Sequence, residues 1–202
     1  AIQEGLQMTA VQLSWVATAY LLAMAVGLIP AGKIADIHGR KKVFISGLVV
    51  YTLGSTAAAG VGSIAVFLYL RVIQGLGAAM FVTTGMAILT SIFPPHKRGR
   101  AIGIYVAAVY VGLSVGPFMG GFLTQHFGWR SIFVLMLPLG VVSITVTRMF
   151  LKGEWADAEG QRLDGVGCLI YAAAILSLVY GATALPASLG FLLVCAGAGG
   201  LV

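Results

Sequence analysis

An all-α polytopic membrane protein is the fold class that this sequence predicts. Three observations carry that reading. Of 202 residues, 59% are hydrophobic and 9% charged. Apolar runs of membrane-spanning length recur along the chain, and the cations gather in short clusters between them. A soluble domain carries roughly 25% charged residues, so a chain this poor in charge cannot clothe a water-facing surface, and its solvent is lipid.

Spanning takes about 20 apolar residues in a helix. The first run extends from Leu13 to Ala31, the second from Val43 to Gly60 and the third from Ile64 to Phe93. The third is long, roughly 45 Å as a helix, so it tilts or projects beyond the bilayer. The fourth runs from Ala101 to Thr124, the fifth from Ser131 to Phe150 and the sixth from Val166 to Leu185; a seventh begins at Ala187. Glycine is scattered inside these runs, as in packed transmembrane helices.

The net charge of +6 is a topology signal, and no nucleic-acid partner is expected, because the cations are confined to inter-span turns. Lys33, Arg40, Lys41 and Lys42 stand in one connection, Lys97, Arg98 and Arg100 in another. Two spans separate them, so both lie on one side, and lysine and arginine are retained in the cytoplasm. Residues 32–42 and 94–100 are therefore expected to be cytoplasmic and residues 1–12 outside, in a cell (plasma or inner) membrane. An outside start implies that one span is lacking before Ala1. The connection Leu151–Asp164 mixes both signs and leaves the assignment untouched. Cys168 and Cys195 read as buried free thiols. No metal spacing and no cofactor motif is present, and an enzyme has no support.

The segment Gly27–Phe44 resembles Gly116–Phe133 without gaps: Gly27 meets Gly116, Gly32 meets Gly121, Gly39 meets Gly128 and Phe44 meets Phe133. The copies lie three spans apart and so face opposite sides. Inverted repeats of this kind build secondary transporters, with the site at the repeat interface.

Four sets of residues are candidates for mechanism. Arg71 lies eight residues beyond Ser63, roughly 12 Å into the third span. It either snorkels outward or faces an aqueous cavity near a carboxylate or substrate, with Gln74 on the same face. The turn containing Gly32, Asp36, Gly39, Arg40 and Lys41 is either a retained basic turn or a latch whose charge pairs differ between two conformations. Gly112, Gly116 and Gly120 form a stripe for close helix contact, followed by Gly121, with Pro117 able to bend the span; ordinary packing is the plainer reading. Gly75, Ala79 and Thr83 form a similar stripe.

Three of these stretches resemble motifs of the major facilitator superfamily. Gly32-Lys33-Ile34-Ala35-Asp36-Ile37-His38-Gly39-Arg40-Lys41-Lys42 is similar to its cytoplasmic signature loop, with Ile34 for leucine. Arg71-Val72-Ile73-Gln74-Gly75-Leu76-Gly77-Ala78-Ala79 is similar to its fourth-span motif, and Gly112–Gly121 to the fifth-span motif that marks antiporters. The resemblance implies an amino-terminal bundle of spans two to six in residues 1–150. A cytoplasmic linker follows at 151–165, then an additional hairpin at 166–202 like that of the fourteen-span drug:proton antiporters. It implies proton-coupled efflux of hydrophobic or cationic small molecules by alternating access. Arg71 and Gln74 would take part in coupling, Asp36 and Arg40 in a latch, and the glycine-proline face in closure. Protons, a small-molecule substrate, the lipid bilayer and a carboxyl-terminal half of the same transporter are the implied partners. The alternatives are a metabolite exporter or symporter of the same superfamily, and a membrane sensor or assembly subunit built on transporter helices.

Overall fold

The computed structural model describes residues 2–158, 160–183 and 188–201, and among these the regular elements are all helices. In chain order they are α1 (Ile2–Gly5), α2 (Ala10–His38), α3 (Arg40–Ala59), α4 (Ile64–Ile92), α5 (Pro95–Phe127), α6 (Arg130–Phe150), α7 (Gly165–Thr183) and α8 (Ser188–Gly199). The six from α2 to α7 are long and apolar enough to cross a membrane. They match the six expected spans, and α8, of 12 residues, stands where the seventh was expected. The expected boundaries at Leu185 and Ala187 lie outside the described residues, as do Ala1, Glu159 and Val202.

The helices run further than the apolar stretches, which corrects both basic connections. The sequence predicts a connecting turn over residues 32–42. They are helical except at Gly39, whose φ of 109° reverses the chain in one residue. Only glycine takes that backbone conformation without steric cost. Likewise α5 starts at Pro95, ahead of the expected Ala101. Proline suits a first helical turn because the missing N–H is one that has no partner there anyway. Lysine and arginine are good helix formers, so nothing obliges a helix to stop where the lipid does.

The chain alternates between two ends. Arg40, beside the Gly39 turn, reaches Ser91 at the close of α4 and Asp157 beyond α6. Both basic connections therefore sit at one end, as expected. At the opposite end Arg130 donates to the Val61 carbonyl, and Phe67 meets Trp129 and Phe133 edge-on at 5.7 and 5.5 Å. Residues 2–9 fold onto that end, where Leu6 and Met8 are buried against this aromatic cluster. Thr9 and Gln12 then cap the start of α2 reciprocally.

Close approach of backbones organises the middle. A Cβ on Gly75 would strike the Tyr20 carbonyl and lie 2.8 Å from Ala23 Cβ; one on Gly27 would meet Ala79 Cβ at 2.8 Å, and one on Gly32 would meet Thr83 at 3.1 Å. The Gly75–Ala79–Thr83 stripe of α4 thus packs along α2 against Ala23, Gly27 and Gly32. On its other side α4 crosses α3 at Gly77 and Gly47, where a Cβ on Gly77 would lie 2.7 Å from Tyr51 N. Further out, α3 packs on α6, while α7 pairs with α8 and leans on α2, with Tyr171 Oη donating to the Ala25 carbonyl. The two cysteines differ from expectation: Cys168 is half-exposed and Cys195 exposed, because the α7–α8 hairpin lies at the bundle's edge.

The repeat has a structural counterpart. Its aligned turns, Gly39 between α2 and α3 and Gly128 between α5 and α6, both have positive φ, 109° and 79°, at opposite ends. The copies differ in company. In the first, α4 fills the groove beside Gly27 and Gly32; in the second, a Cβ on Gly116 or Gly121 would meet nothing within 4 Å among the described residues outside its own helix backbone.

Gly75→Ala should destabilise the bundle by about 1–3 kcal/mol, the usual cost of overpacking a tight contact. Gly103→Ala, with open space around it, should not. Thermal unfolding of the detergent-solubilised protein followed by size-exclusion recovery checks the pair; equal midpoints would contradict the crossing described.

Candidate functional site

Two polar clusters interrupt the apolar bundle, one about two turns in from the end opposite the basic turns and one at the basic end. The first is built around Arg71, two turns into α4. Its Nε donates to the Val16 carbonyl at 2.9 Å, its Nη1 donates to Gln74 Oε1 at 3.1 Å, and its guanidinium stands 4.7 Å from the Tyr20 ring centroid. Gln74 Nε2 in turn donates to Ser55 Oγ at 2.5 Å, and Ser55 Oγ donates to the Tyr51 carbonyl at 2.8 Å. Gln74 is 1% exposed and Ser55 fully buried. The chain Tyr51–Ser55–Gln74–Arg71–Val16 therefore ties α3, α4 and α2 together in lipid-depth surroundings, where each unpaired polar atom would cost free energy. Among the described residues no buried side-chain nitrogen or oxygen lacks a partner.

Arg71, Gln74, Tyr51, Val16, Phe133 and Met136 line a cavity of about 210 Å³, room for several water molecules. The ion pairs among the described residues are Asp36–Arg40 and Arg40–Asp157, and neither involves Arg71. A guanidinium keeps its proton throughout the biological range. Arg71 can therefore act as a fixed cation that biases whatever anion or titrating acid approaches it, and is not itself a group that takes up and releases protons.

The second cluster gathers Asp36, Gly39, Arg40 and Lys41, the residues picked out from sequence, but adds a segment that sequence reasoning left idle. Arg40 Nε donates to Asp36 Oδ1 at 3.0 Å, Nη1 to Ser91 Oγ at 2.8 Å and Nη2 to Asp157 Oδ2 at 2.5 Å. Asp157 belongs to the irregular stretch 151–164, which lies across the turn. Lys41 N donates to Glu154 Oε1 at 2.8 Å, Arg40 N to the Trp155 carbonyl at 2.8 Å, and Ala158 N to the Asp36 carbonyl at 2.9 Å. Lys33 Nζ donates to Gln161 Oε1 at 2.6 Å, and Lys41 Nζ reaches the Leu151 carbonyl. Gly32 is not part of this cluster; it faces Thr83 on α4.

The third set stays apart from both. Gly112, Gly116 and Gly121 have open space where a Cβ would be, and Gly120 would only touch Ile132 at 3.9 Å. Of α5, only Ala101 is buried, and Pro117 lies within the unbroken helix. The stripe expected to make close helix contact meets no helix closely among the described residues.

Ser55, Tyr20 and the Val16 carbonyl escaped sequence reasoning. A serine in an apolar run is common, and only its three-dimensional placement opposite Gln74 marks it. For Glu154 and Asp157 a signal existed, an acidic stretch in a chain with an excess of cations, but nothing local tells which basic turn it meets. Ser55→Ala should leave Gln74 Nε2 without its acceptor and cost about 1–3 kcal/mol. A thermal midpoint unchanged from the parent protein would show that the Gln74 amide finds another partner.

Comparison with known proteins agrees with this fold. A family model described as Major Facilitator Superfamily matches residues 1–164. The tetracenomycin C resistance and export protein of Streptomyces glaucescens is 34% identical over 199 residues, which cover 95% of this chain and 37% of that protein. The multidrug resistance protein Stp of Mycobacterium tuberculosis is 39% identical over 169 residues, 83% of this chain and 31% of that one. The riboflavin transporter RibZ of Clostridioides difficile is 32% identical over 80% of this chain and 35% of its own length. A crystal structure of a peptide transporter POT mutant in complex with alafosfalin shares the fold, with a TM-score of 0.71 at 17% identity, covering 91% of this chain and 44% of that one. The chain thus spans about a third of the length of these curated relatives. A membrane bundle of this architecture, matched over most of its length by one family model and by relatives above 30% identity, belongs to the Major Facilitator Superfamily.

Proposed function

We propose that the full-length protein is a secondary active transporter that exports hydrophobic or cationic small molecules in exchange for protons. The observation that carries this reading is Arg71: a fixed cation at membrane depth, anchored on two helices and facing a cavity. Charge at that depth is costly and marks ion or substrate pathways. In this reading Arg71 holds a partner carboxylate ionised until a proton arrives, and the proton's arrival alters the balance between two bundle arrangements. The carboxylate would come from a span or half of the transporter beyond residues 1–202. Relatives named for drug resistance and export support the direction of transport.

Residues 1–150 would act as one bundle, 151–165 as a linker and 166–202 as an additional hairpin. The carboxyl-terminal half of the transporter would cover the open glycine-proline face of α5. The two basic connections would face the cytoplasm of a cell membrane. No enzymatic step is proposed. A second reading, transport of a metabolite by the same fold, is favoured by the relative named as a riboflavin transporter. A substrate panel of cationic dyes and neutral metabolites separates the two.

In vesicles loaded with a cationic dye, efflux should depend on an imposed proton gradient. Arg71→Ala should abolish that dependence while the protein remains in the membrane. Arg71→Lys should restore little, because an ammonium cannot address the Val16 carbonyl and Gln74 in the same fork geometry. Efflux indifferent to the gradient, or unimpaired in Arg71→Ala, would refute the coupling role. For sidedness, Gly62→Cys should react with an impermeant thiol reagent on intact cells and Gly99→Cys only after permeabilisation; the reverse pattern would overturn the orientation.

A further inference from the structure

We propose that the groove between α4, α5 and α6 at the basic end of the bundle binds one anionic phospholipid, its acyl chain lying in the groove and its phosphate held by Arg98, Lys41 and Lys152. The site lies apart from Arg71 and does not rest on any reading of what is transported.

The groove exists because α5 touches its neighbours so little. Of α5 only Ala101 is buried. A cavity of about 270 Å³ remains between Tyr105 on α5, Gly85 and Ile88 on α4, and Val146 and Phe150 on α6, with Phe44 of α3 also on its wall. Val146 is 48% and Phe150 77% exposed, so the cavity opens toward the bilayer. Tyr105 and Thr147 carry the only side-chain polar atoms of the wall. Water in such a slot finds few partners, whereas an acyl chain needs none. Glycine at position 85 keeps the slot open, since a Cβ there would meet the Phe44 ring at 3.5 Å and Tyr105 Oη at 3.6 Å.

The basic end supplies the other half of the ligand's chemistry. Arg98, Ala101 and Tyr105 recur at helical spacing and share one face of α5. Ala101 is buried and Tyr105 lines the groove, so Arg98 stands on the groove's side at the start of the helix. Its Nε donates at 3.0 Å to the carbonyl of Phe93, which ends α4 shortly beyond Ile88. On the α6 side Lys41 Nζ donates to the carbonyl of Leu151, itself a lining residue, and Lys152 follows at once. Three cations from three segments therefore stand at one end of an apolar slot. The neighbouring acids are engaged elsewhere: Glu154 accepts from Lys41 N, and Asp36 and Asp157 pair with Arg40. Basic pockets between spans select anionic headgroups.

The depth also fits. Tyr105 lies seven residues beyond Arg98, roughly 10 Å along the helix. A phosphate at Arg98 sets the ester groups below it, where the Tyr105 hydroxyl, leaning toward the helix start, can donate to a carbonyl. The acyl chain then continues past Gly85 and Val146.

The test is native mass spectrometry of the delipidated full-length protein in mild detergent, titrated with phosphatidylglycerol or with phosphatidylcholine carrying the same chains. Phosphatidylglycerol should bind at least about tenfold more tightly. Arg98→Gln with Lys152→Gln should weaken it about twentyfold, about fivefold for each cation lost, and leave phosphatidylcholine within about twofold. Lys42→Gln with Lys97→Gln removes the same charge at the same end, one helical step from Lys41 and Arg98 and so on other faces. That pair should weaken phosphatidylglycerol less than about threefold, because exposed charge off the site is screened. Val146→Trp should weaken it by filling the slot. All five positions are exposed, so the variants should fold. Equal affinity for the two lipids would reveal an unselective annulus, and equal loss in the two double variants a diffuse basic surface; either overturns the proposal. So does unchanged affinity in Val146→Trp. None of these readouts requires transport, so they decide the site whatever the efflux assay shows.

Discussion

The close crossing of α4 over α2 and α3 is the constraint on which the rest depends. In lipid, burying apolar side chains between helices gains little, because the surroundings are as apolar as the interface. Association then rests on dispersion and hydrogen bonds, both of which demand that backbones come near. Gly27, Gly75, Gly47 and Gly77 make that approach possible. The polar network follows from it. Gln74 reaches Ser55, and Arg71 reaches the Val16 carbonyl, only because the three helix axes lie so close.

That network shows how a costly group is held in lipid. Arg71 is satisfied by a carbonyl, an amide and an aromatic face rather than by an acid among the described residues. Its Nε and Nη1 donors are engaged. The basic end solves the opposite problem. There water is near, charge is inexpensive, and the turn is held by several exposed contacts that can exchange.

Much of this was legible in the sequence, and for identifiable reasons. The spans were readable because lipid tolerates only long uninterrupted apolar helices, so α4 matched its expected Ile64–Phe93 within one residue. The shared end of the two basic connections followed from counting spans. The repeat was readable because Gly39 and Gly128 are each needed for a positive φ, a requirement that leaves its mark on residue identity. The helix ends were misjudged, since α2 and α5 continue into charged residues that hydropathy treats as loop. The burial of Leu6 and Met8 at the opposite end was also hidden, because a short segment folding back has no period to betray it.

Composition and spacing alone therefore established the membrane-spanning helical class, the succession of spans and the glycine turns, since each is a one-dimensional consequence of hydrophobicity, charge or glycine geometry. Tertiary structure decided the partners. It placed Ser55 under Gln74, set the 151–164 linker across the Gly39 turn, and left the Gly112–Gly121 face without a close neighbour among the described residues. Those outcomes depend on which surfaces meet across separations such as the 117 residues between Arg40 and Asp157. Pairing at that range is fixed by the competition of all faces for contact at once, which no local pattern encodes.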